Sequence, residues 1–130
     1  MMSDKFIVEI ITPDQSILKS ETNEVTIPSY EGEMGILKDH IPLITFLRPG
    51  LIKFKDSKEN KFFVEEGTVE FSDNNLLILT STVKEVSALS KDEIEKKIKD
   101  TEVKLKNNKA TDKEKYLMSY KIDVLQEISK

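Results

Sequence analysis

The chain is predicted to be mainly β in front and α behind: a β-sandwich or barrel followed by an antiparallel two-helix hairpin. All four glycines and all four prolines lie at or before Gly67. Short apolar runs of period two, punctuated by turn residues, fill residues 1–87. Residues 88–130 carry two capping-box sequences instead, each followed by apolar residues at helical spacing. The expected division is a β-domain over 1–87 and a helical tail over 88–130.

Phe6, Val8 and Ile10 alternate with Ile7, Glu9 and Ile11, which makes a strand apolar on nearly both faces, ended by Thr12-Pro13-Asp14. Glu24-Val25-Thr26-Ile27 is a second strand, closed by Pro28. The stretch around Gly32 and Gly35 reads as a loop. Tyr30, Met34 and Ile36 are its candidate docking residues. Packing and binding are equally supported for Met34, and packing is favoured for Ile36 and Leu37. Arg48-Pro49-Gly50-Leu51 matches a type II turn, with proline second and glycine third. Leu51 to Lys55 alternates after it. Lys61 to Glu65 runs into a turn at Glu66-Gly67, and Val69 and Phe71 then share one face. Asp73-Asn74-Asn75 suits a tight connection, because Asp and Asn tolerate positive φ. Leu76 to Thr82 is apolar and β-branched enough for a buried strand. Short strands at this spacing favour a sandwich or barrel.

Ser90-Lys91-Asp92-Glu93 and Thr111-Asp112-Lys113-Glu114 open helices near 91–106 and 112–129. Ile94, Ile98, Thr101 and Leu105 recur on the first. Leu117, Tyr120, Val124 and Ile128 form a stripe on the second, with Met118, Ile122 and Leu125 beside it. These stripes read as the seam of the hairpin. Isolated helices of this length are marginal in water, and the first offers only a thin apolar stripe. Little surplus is left to fix the hairpin to the β-domain, so a mobile appendage is expected.

A chain of 130 residues is one domain, or a domain with an appendage. It has no cysteine, which excludes disulfides, thiolate metal sites and cysteine nucleophiles. No apolar run approaches the roughly 20 residues that cross a bilayer, and the N-terminus does not resemble a secretory signal. A soluble cytoplasmic protein is expected. The net charge of −4 argues against a nucleic-acid partner. Residues 88–130 hold more basic than acidic side chains, so the tail suits an acidic partner. The single histidine, His40, sits beside Asp39. Adjacent residues do not normally aim at one reacting atom, so a structural or interface role is favoured over general-base catalysis. Gly32-x-x-Gly35 lacks the spacing of a phosphate loop. The pairs Glu31/Glu33 and Glu65/Glu66 are what 24 acidic residues produce by chance. No catalytic residue, cofactor or metal is expected.

Three segments in order, Glu31-Gly32-Glu33-Met34-Gly35-Ile36-Leu37, His40-x-Pro42-Leu43-Ile44-Thr45 and Leu47-Arg48-Pro49-Gly50, resemble the epsilon subunits of bacterial F-type ATP synthases. Phe6-Ile7-Val8-Glu9-Ile10-Ile11-Thr12-Pro13 before them and a Gly67-containing strand pair and helical tail after them extend the resemblance over essentially the whole chain. It implies a ten-stranded β-sandwich followed by a two-helix hairpin. It further implies a non-catalytic place in the central stalk of a proton-translocating enzyme, peripheral on the cytoplasmic face of the bacterial inner membrane, with no direct insertion into the bilayer. The sandwich would join the gamma subunit to the membrane ring of proton-carrying subunits. Glu31, Glu33 and His40 would lie toward that ring, with Met34 and Pro42 as neighbours. The hairpin would lie against the sandwich or extend along gamma toward the catalytic alpha and beta subunits, where it restrains ATP hydrolysis in some members. Two other readings compete: a stand-alone β-sandwich binding module, and a small hydrolase using His40 and a nearby carboxylate.

Some members of that family bind ATP through an I/L-D-x-x-R-A pattern at the start of the first tail helix. The matching stretch here is Leu89-Ser90-Lys91-Asp92-Glu93-Ile94, with Ser90, Glu93 and Ile94 at the aspartate, arginine and alanine positions. No nucleotide site of that kind is expected. Calorimetric titration of the isolated chain with ATP should show no sub-millimolar binding.

Overall fold

The computed structural model describes residues 4–107 and 109–129. The strands are β1 (Phe6–Ile11), β2 (Ser16–Thr22), β3 (Glu24–Ser29), β4 (Gly32–Leu37) and β5 (Leu43–Leu47), then β6 (Gly50–Lys55), β7 (Glu59–Val64), β8 (Gly67–Ser72), β9 (Asn75–Leu79) and β10 (Lys84–Glu85). The helices are α1 (Lys91–Leu105) and α2 (Asp112–Ile128). Strand order is β10-β7-β6-β3-β5-β8-β9-β1-β2, with β4 on the other edge of β3. All pairings are antiparallel except β1 with β9. β3 and β5 share the single register pair Ser29–Leu47. There the sheet folds over, and its halves face each other as a sandwich. One half is β4-β3-β6-β7-β10 and the other is β5-β8-β9-β1-β2.

Alternation along the strands puts one side chain in two between the halves. Val25, Ile27, Ile36, Ile52, Phe54 and Val64 from one half meet Val8, Ile10, Val69, Phe71, Leu76 and Ile78 from the other in one buried cluster. Phe6 meets Phe71 edge-on at 5.5 Å. A second junction is polar. The buried Thr22 hydroxyl donates to the Lys55 carbonyl at 2.7 Å. Asp56, in the β6–β7 turn, accepts from Ser20 Oγ at 2.8 Å, the Lys58 N–H at 3.0 Å and Asn60 Nδ2 at 3.0 Å. These bonds, the Lys58 N–H first, hold the Asp56 carboxyl at about 2, below the ordinary 3.8.

The glycine-bearing segment expected to be a loop is strand β4. Gly32 (φ 129°) makes the turn from β3, the Ser29 hydroxyl donates to its carbonyl at 2.7 Å, and the ladder with β3 then runs from Gly32 to Leu37. Ile36 is buried as expected, whereas Leu37 points outward and is 53% exposed, because neighbouring strand residues take opposite faces. The type II turn expected at Arg48–Leu51 needs a positive φ at Gly50, and Gly50 has none. Gly50 already belongs to β6, opposite Val64. Its role is steric, since a Cβ there would lie 2.4 Å from Pro28 Cβ. Asp73 (φ 50°) and Asn74 (φ 59°) do make the tight connection expected of them.

Both helices begin within a residue of expectation. Thr111 and Glu114 form the reciprocal box. At Ser90 the hydroxyl accepts from the Glu93 N–H at 3.1 Å, but the Glu93 carboxylate bonds the Ser90 hydroxyl rather than its backbone N–H. The hairpin packs on the outer face of β6 and β7. Phe63, Ile94 and Leu125 are buried together, flanked by Leu51, Val86, Leu89, Ile98, Val124 and Ile128. Leu125 is the buried centre of α2, not the Val124 stripe, because α2 must face both α1 and the sheet. Leu105 and Leu117 are half-buried.

Two outcomes follow for stability. At Gly67 (φ 155°) a Cβ would meet the Leu79 carbonyl oxygen at 2.5 Å, whereas at Gly35 it would meet nothing within 4 Å. Urea unfolding should show Gly67→Ala destabilised by about 2 kcal/mol and Gly35→Ala changed by less than about 0.5 kcal/mol. The depressed Asp56 carboxyl contributes stability that is fully present above its ordinary 3.8 and lost as pH falls through about 2. The gap in urea midpoint between the native chain and Asp56→Ala should therefore be constant above about pH 4 and narrow below it.

Candidate functional site

The outer face of the β5 half carries exposed apolar side chains. Since Leu47 and the inward side of β5 serve the core, Ile44 and Phe46 must point out, and they are 77% and 59% exposed. Register sets Ile44 beside Glu70 and Phe46 beside Thr68 of β8, and these beside Leu77 and Leu79 of β9. Leu79 is exposed, the Tyr30 ring stands 6.3 Å from that of Phe46, and Ile41 projects from the β4–β5 loop. Scattered apolar residues are ordinary on a surface; Tyr30, Phe46 and Leu79 line one depression, a grouping of the kind that marks an interface.

The residues singled out in the sequence fall in two places. Glu31 is exposed in the β3–β4 turn. Glu33 points out from β4 and pairs with Lys53 at 3.2 Å. Met34 packs against the sandwich core. His40 and Pro42 lie in the loop at the opposite end of β4, roughly 17 Å away at strand rise. The five residues do not make one patch. His40 Nδ1 donates to the Ile41 carbonyl at 2.7 Å, and its ring meets Phe71 edge-on at 5.9 Å. Asp39, at φ 66°, turns to the β8–β9 connection: its N–H donates to Asn74 Oδ1 at 2.7 Å and its Oδ1 accepts from Asn74 Nδ2 at 3.0 Å. The Asp39 carboxylate is thus bonded to Asn74 and not to the imidazole. Among the described residues no group of three or more His, Asp or Glu side chains is placed to hold a metal ion. Among the described residues no helix is long and apolar enough to cross a membrane.

Sequence reasoning missed Ile41, Ile44 and Phe46. The available signal was the run Leu43-Ile44-Thr45-Phe46-Leu47, apolar on both faces of a strand whose outer face a helix does not cover.

The second surface is the hairpin's own docking site. The Arg48 guanidinium lies 4.0 Å above the Tyr120 ring, and Tyr116 meets Tyr120 edge-on at 5.0 Å. Lys121 Nζ pairs with Glu65 at 2.5 Å, and Lys113 Nζ sits 5.6 Å from the Tyr30 ring. The hydrogen bond with Tyr116 raises the Tyr120 phenol above its ordinary range, and the Arg48 charge works the other way. A groove of about 320 Å³ runs between α2 and the sheet, past Pro28, Glu33, Arg48, Leu51, Tyr120 and Val124.

Residues 5–86 match the family described as ATP synthase, Delta/Epsilon chain, beta-sandwich domain. The chain is 47% identical over 130 residues to the ATP synthase epsilon chain of Pelagibacter ubique, covering 98% of this chain and 100% of that one. It is 34% identical over 116 residues to the chloroplastic epsilon chain of Pyropia yezoensis, covering 88% and 86%. In fold it is similar to a chain of the Euglena gracilis mitochondrial ATP synthase, with a TM-score of 0.75 at 18% identity over 97% of this chain and 80% of that one. It is also similar to a chain of the Tetrahymena thermophila mitochondrial ATP synthase central stalk and c-ring, with a TM-score of 0.68 at 18% identity over the full length of both.

Proposed function

The chain belongs to the ATP synthase delta/epsilon-chain family, and from that premise we propose that it is a non-catalytic rotor subunit of the central stalk, coupling the gamma subunit to the membrane ring of proton-carrying subunits. The observation that carries the reading is the exposed apolar face around Ile44 and Phe46 on a sandwich closed at two junctions. Such a body makes and breaks no bond. It grips a partner on that face and carries torque without slip.

Gamma packs on the Ile44–Phe46–Leu79 face. Glu31 and Glu33, in the β3–β4 ribbon, face the ring, with Met34 stiffening the ribbon from the core side. His40, at the far end of β4, is a further ring contact, with Pro42 as its neighbour. Residues 1–87 are the rotor-binding part and residues 88–130 the regulatory tail, whose basic excess suits a transient approach to acidic surface on the catalytic alpha and beta subunits. The subunit sits peripherally on the cytoplasmic face of the bacterial inner membrane. No cofactor and no nucleic acid take part.

The test is a pull-down with purified gamma. The native chain should be retained, and Ile44→Glu with Phe46→Glu should weaken retention at least about tenfold, since each buries a carboxylate in the contact. A chain that stays free beside gamma overturns the reading, as would a stand-alone binding module that ignores the rotor. In the assembled enzyme, removal of residues 88–130 should raise ATP hydrolysis; an unchanged rate confines the protein to coupling.

A further inference from the structure

The hairpin is held down by few contacts. On the sheet side the apolar part of its docking site is Phe63 and Leu51, with Val86 and Leu89 from the connecting segment. That segment, Val86–Ala88, is a single short 3-10 turn in which no residue is buried and whose first residue receives no side-chain cap. The helices also pack on each other, so the hairpin can lift as a unit about residues 86–90.

Polar contacts span the interface besides, among them those of Lys113, Lys121 and Tyr120. Lys113 stands 5.6 Å from the Tyr30 ring, which is 44% exposed. The Lys121–Glu65 pair, with side chains 19% and 30% exposed, joins a point charge on a flexible stem to a carboxylate. Arg48 differs from both. It is the chain's one arginine, and its guanidinium lies flat enough to sit 4.0 Å over Tyr120. Its backbone is fixed at the corner where the sheet folds over: the Arg48 N–H donates to the Pro28 carbonyl at 2.9 Å, and Gly50 packs against the Pro28 ring. On the other side Tyr116 holds the Tyr120 ring edge-on. A planar cation on a rigid corner therefore meets a ring held in one orientation.

We infer that the Arg48–Tyr120 contact is the latch that sets how often the hairpin is docked. Arg48 acts as a positioning residue, through Tyr120 and α2. Lifting the hairpin uncovers Phe63 and Leu51 together with Tyr120, so one contact governs one continuous surface. The inference concerns the free chain and is tested apart from the rotor assignment, so failure of the gamma pull-down leaves it standing.

The native chain has no cysteine, so Ser57→Cys in the β6–β7 turn and Lys106→Cys after α1 accept a donor–acceptor dye pair cleanly. Single-molecule energy transfer on the full chain then counts docked and lifted molecules. Arg48→Ala and Tyr120→Leu should each raise the lifted-to-docked ratio about three- to tenfold. Tyr120→Phe, which keeps the ring, should stay near the native ratio, and Arg48→Lys should lose most of the effect of the arginine. Circular dichroism melting of the sandwich checks that Arg48→Ala has not opened the corner. If it has, Tyr120→Leu decides, because Tyr120 lies outside the sheet. An unchanged ratio in Tyr120→Leu overturns the inference, as does a Glu65→Gln variant that lifts the hairpin as much as Tyr120→Leu does.

Discussion

The molecule depends on how one sheet turns back on itself at Ser29 and Leu47. Pro28 makes that corner. Its carbonyl accepts the Arg48 N–H, and its ring fills the space left by the missing side chain of Gly50. Any side chain at residue 50 would push the ring away and separate the two strands the corner joins. Proline is tolerated there because β3 ends one residue later, where a missing N–H costs little. From this point β5 and β6 leave for opposite halves of the sandwich. Residues only a few positions apart are thereby sorted to opposite sides of the molecule: Ile44 and Phe46 to one outer face, Arg48 and Leu51 to the other. The apolar face and the hairpin's docking site are two products of one turn.

The two parts of the chain are held by different amounts of apolar burial. The sandwich encloses one cluster drawn from both halves and is closed again by Thr22 and Asp56 at the polar junction. The hairpin has Phe63, Ile94 and Leu125 with a half-buried rim. Each buried aliphatic side chain is worth roughly 1.5–3 kcal/mol, and ordering the helices against the sheet offsets much of that. The hairpin, expected to be a mobile appendage, is docked on the sheet through a smaller apolar contact than the sandwich encloses.

What the sequence made legible follows the strength of its local signals. The helices were readable almost to the residue, because Ser90 and Thr111 cap them and glycine and proline are absent beyond Gly67. β1, β3 and β6 announced themselves by alternation, β7 by the turn that follows it, β8 by Val69 and Phe71 on one face, and β9 by its apolar, β-branched run. β2 did not, because Ser16 to Thr22 is mostly polar and its ladder with β1 carries an irregularity at Ile10/Ile11. β4 was obscured by two glycines that permit turns without requiring them, and only Gly32 uses a positive φ. The apolar partner face was the larger omission. Periodicity finds what faces the core, and Ile44 and Phe46 are apolar on the face that does not. The resemblance, not periodicity, singles out Glu31 and His40, and the register places them at opposite ends of β4.

A weak attachment becomes useful when its balance lies within reach of a few contacts. A gap of about 1.4 kcal/mol corresponds to a tenfold change in population, so a partner that makes one or two better contacts with the lifted hairpin than the sheet makes with the docked one moves the equilibrium decisively. A hairpin cemented by a large core would ignore such a partner, and one with no fixed contact would never report its absence. The sequence arrives between these limits by keeping the helices polar on most of their surface, giving them Leu125 and Ile94 to rest on Phe63, and placing its one arginine on the rigid corner beneath Tyr120. The stiffness of the corner matters here as much as the contact itself. If Arg48 stood on a pliant loop it would follow the ring as the hairpin moved, and the contact would weaken gradually. Held by the Pro28 carbonyl, it cannot follow, so docking and lifting are separated by the loss of a definite interaction.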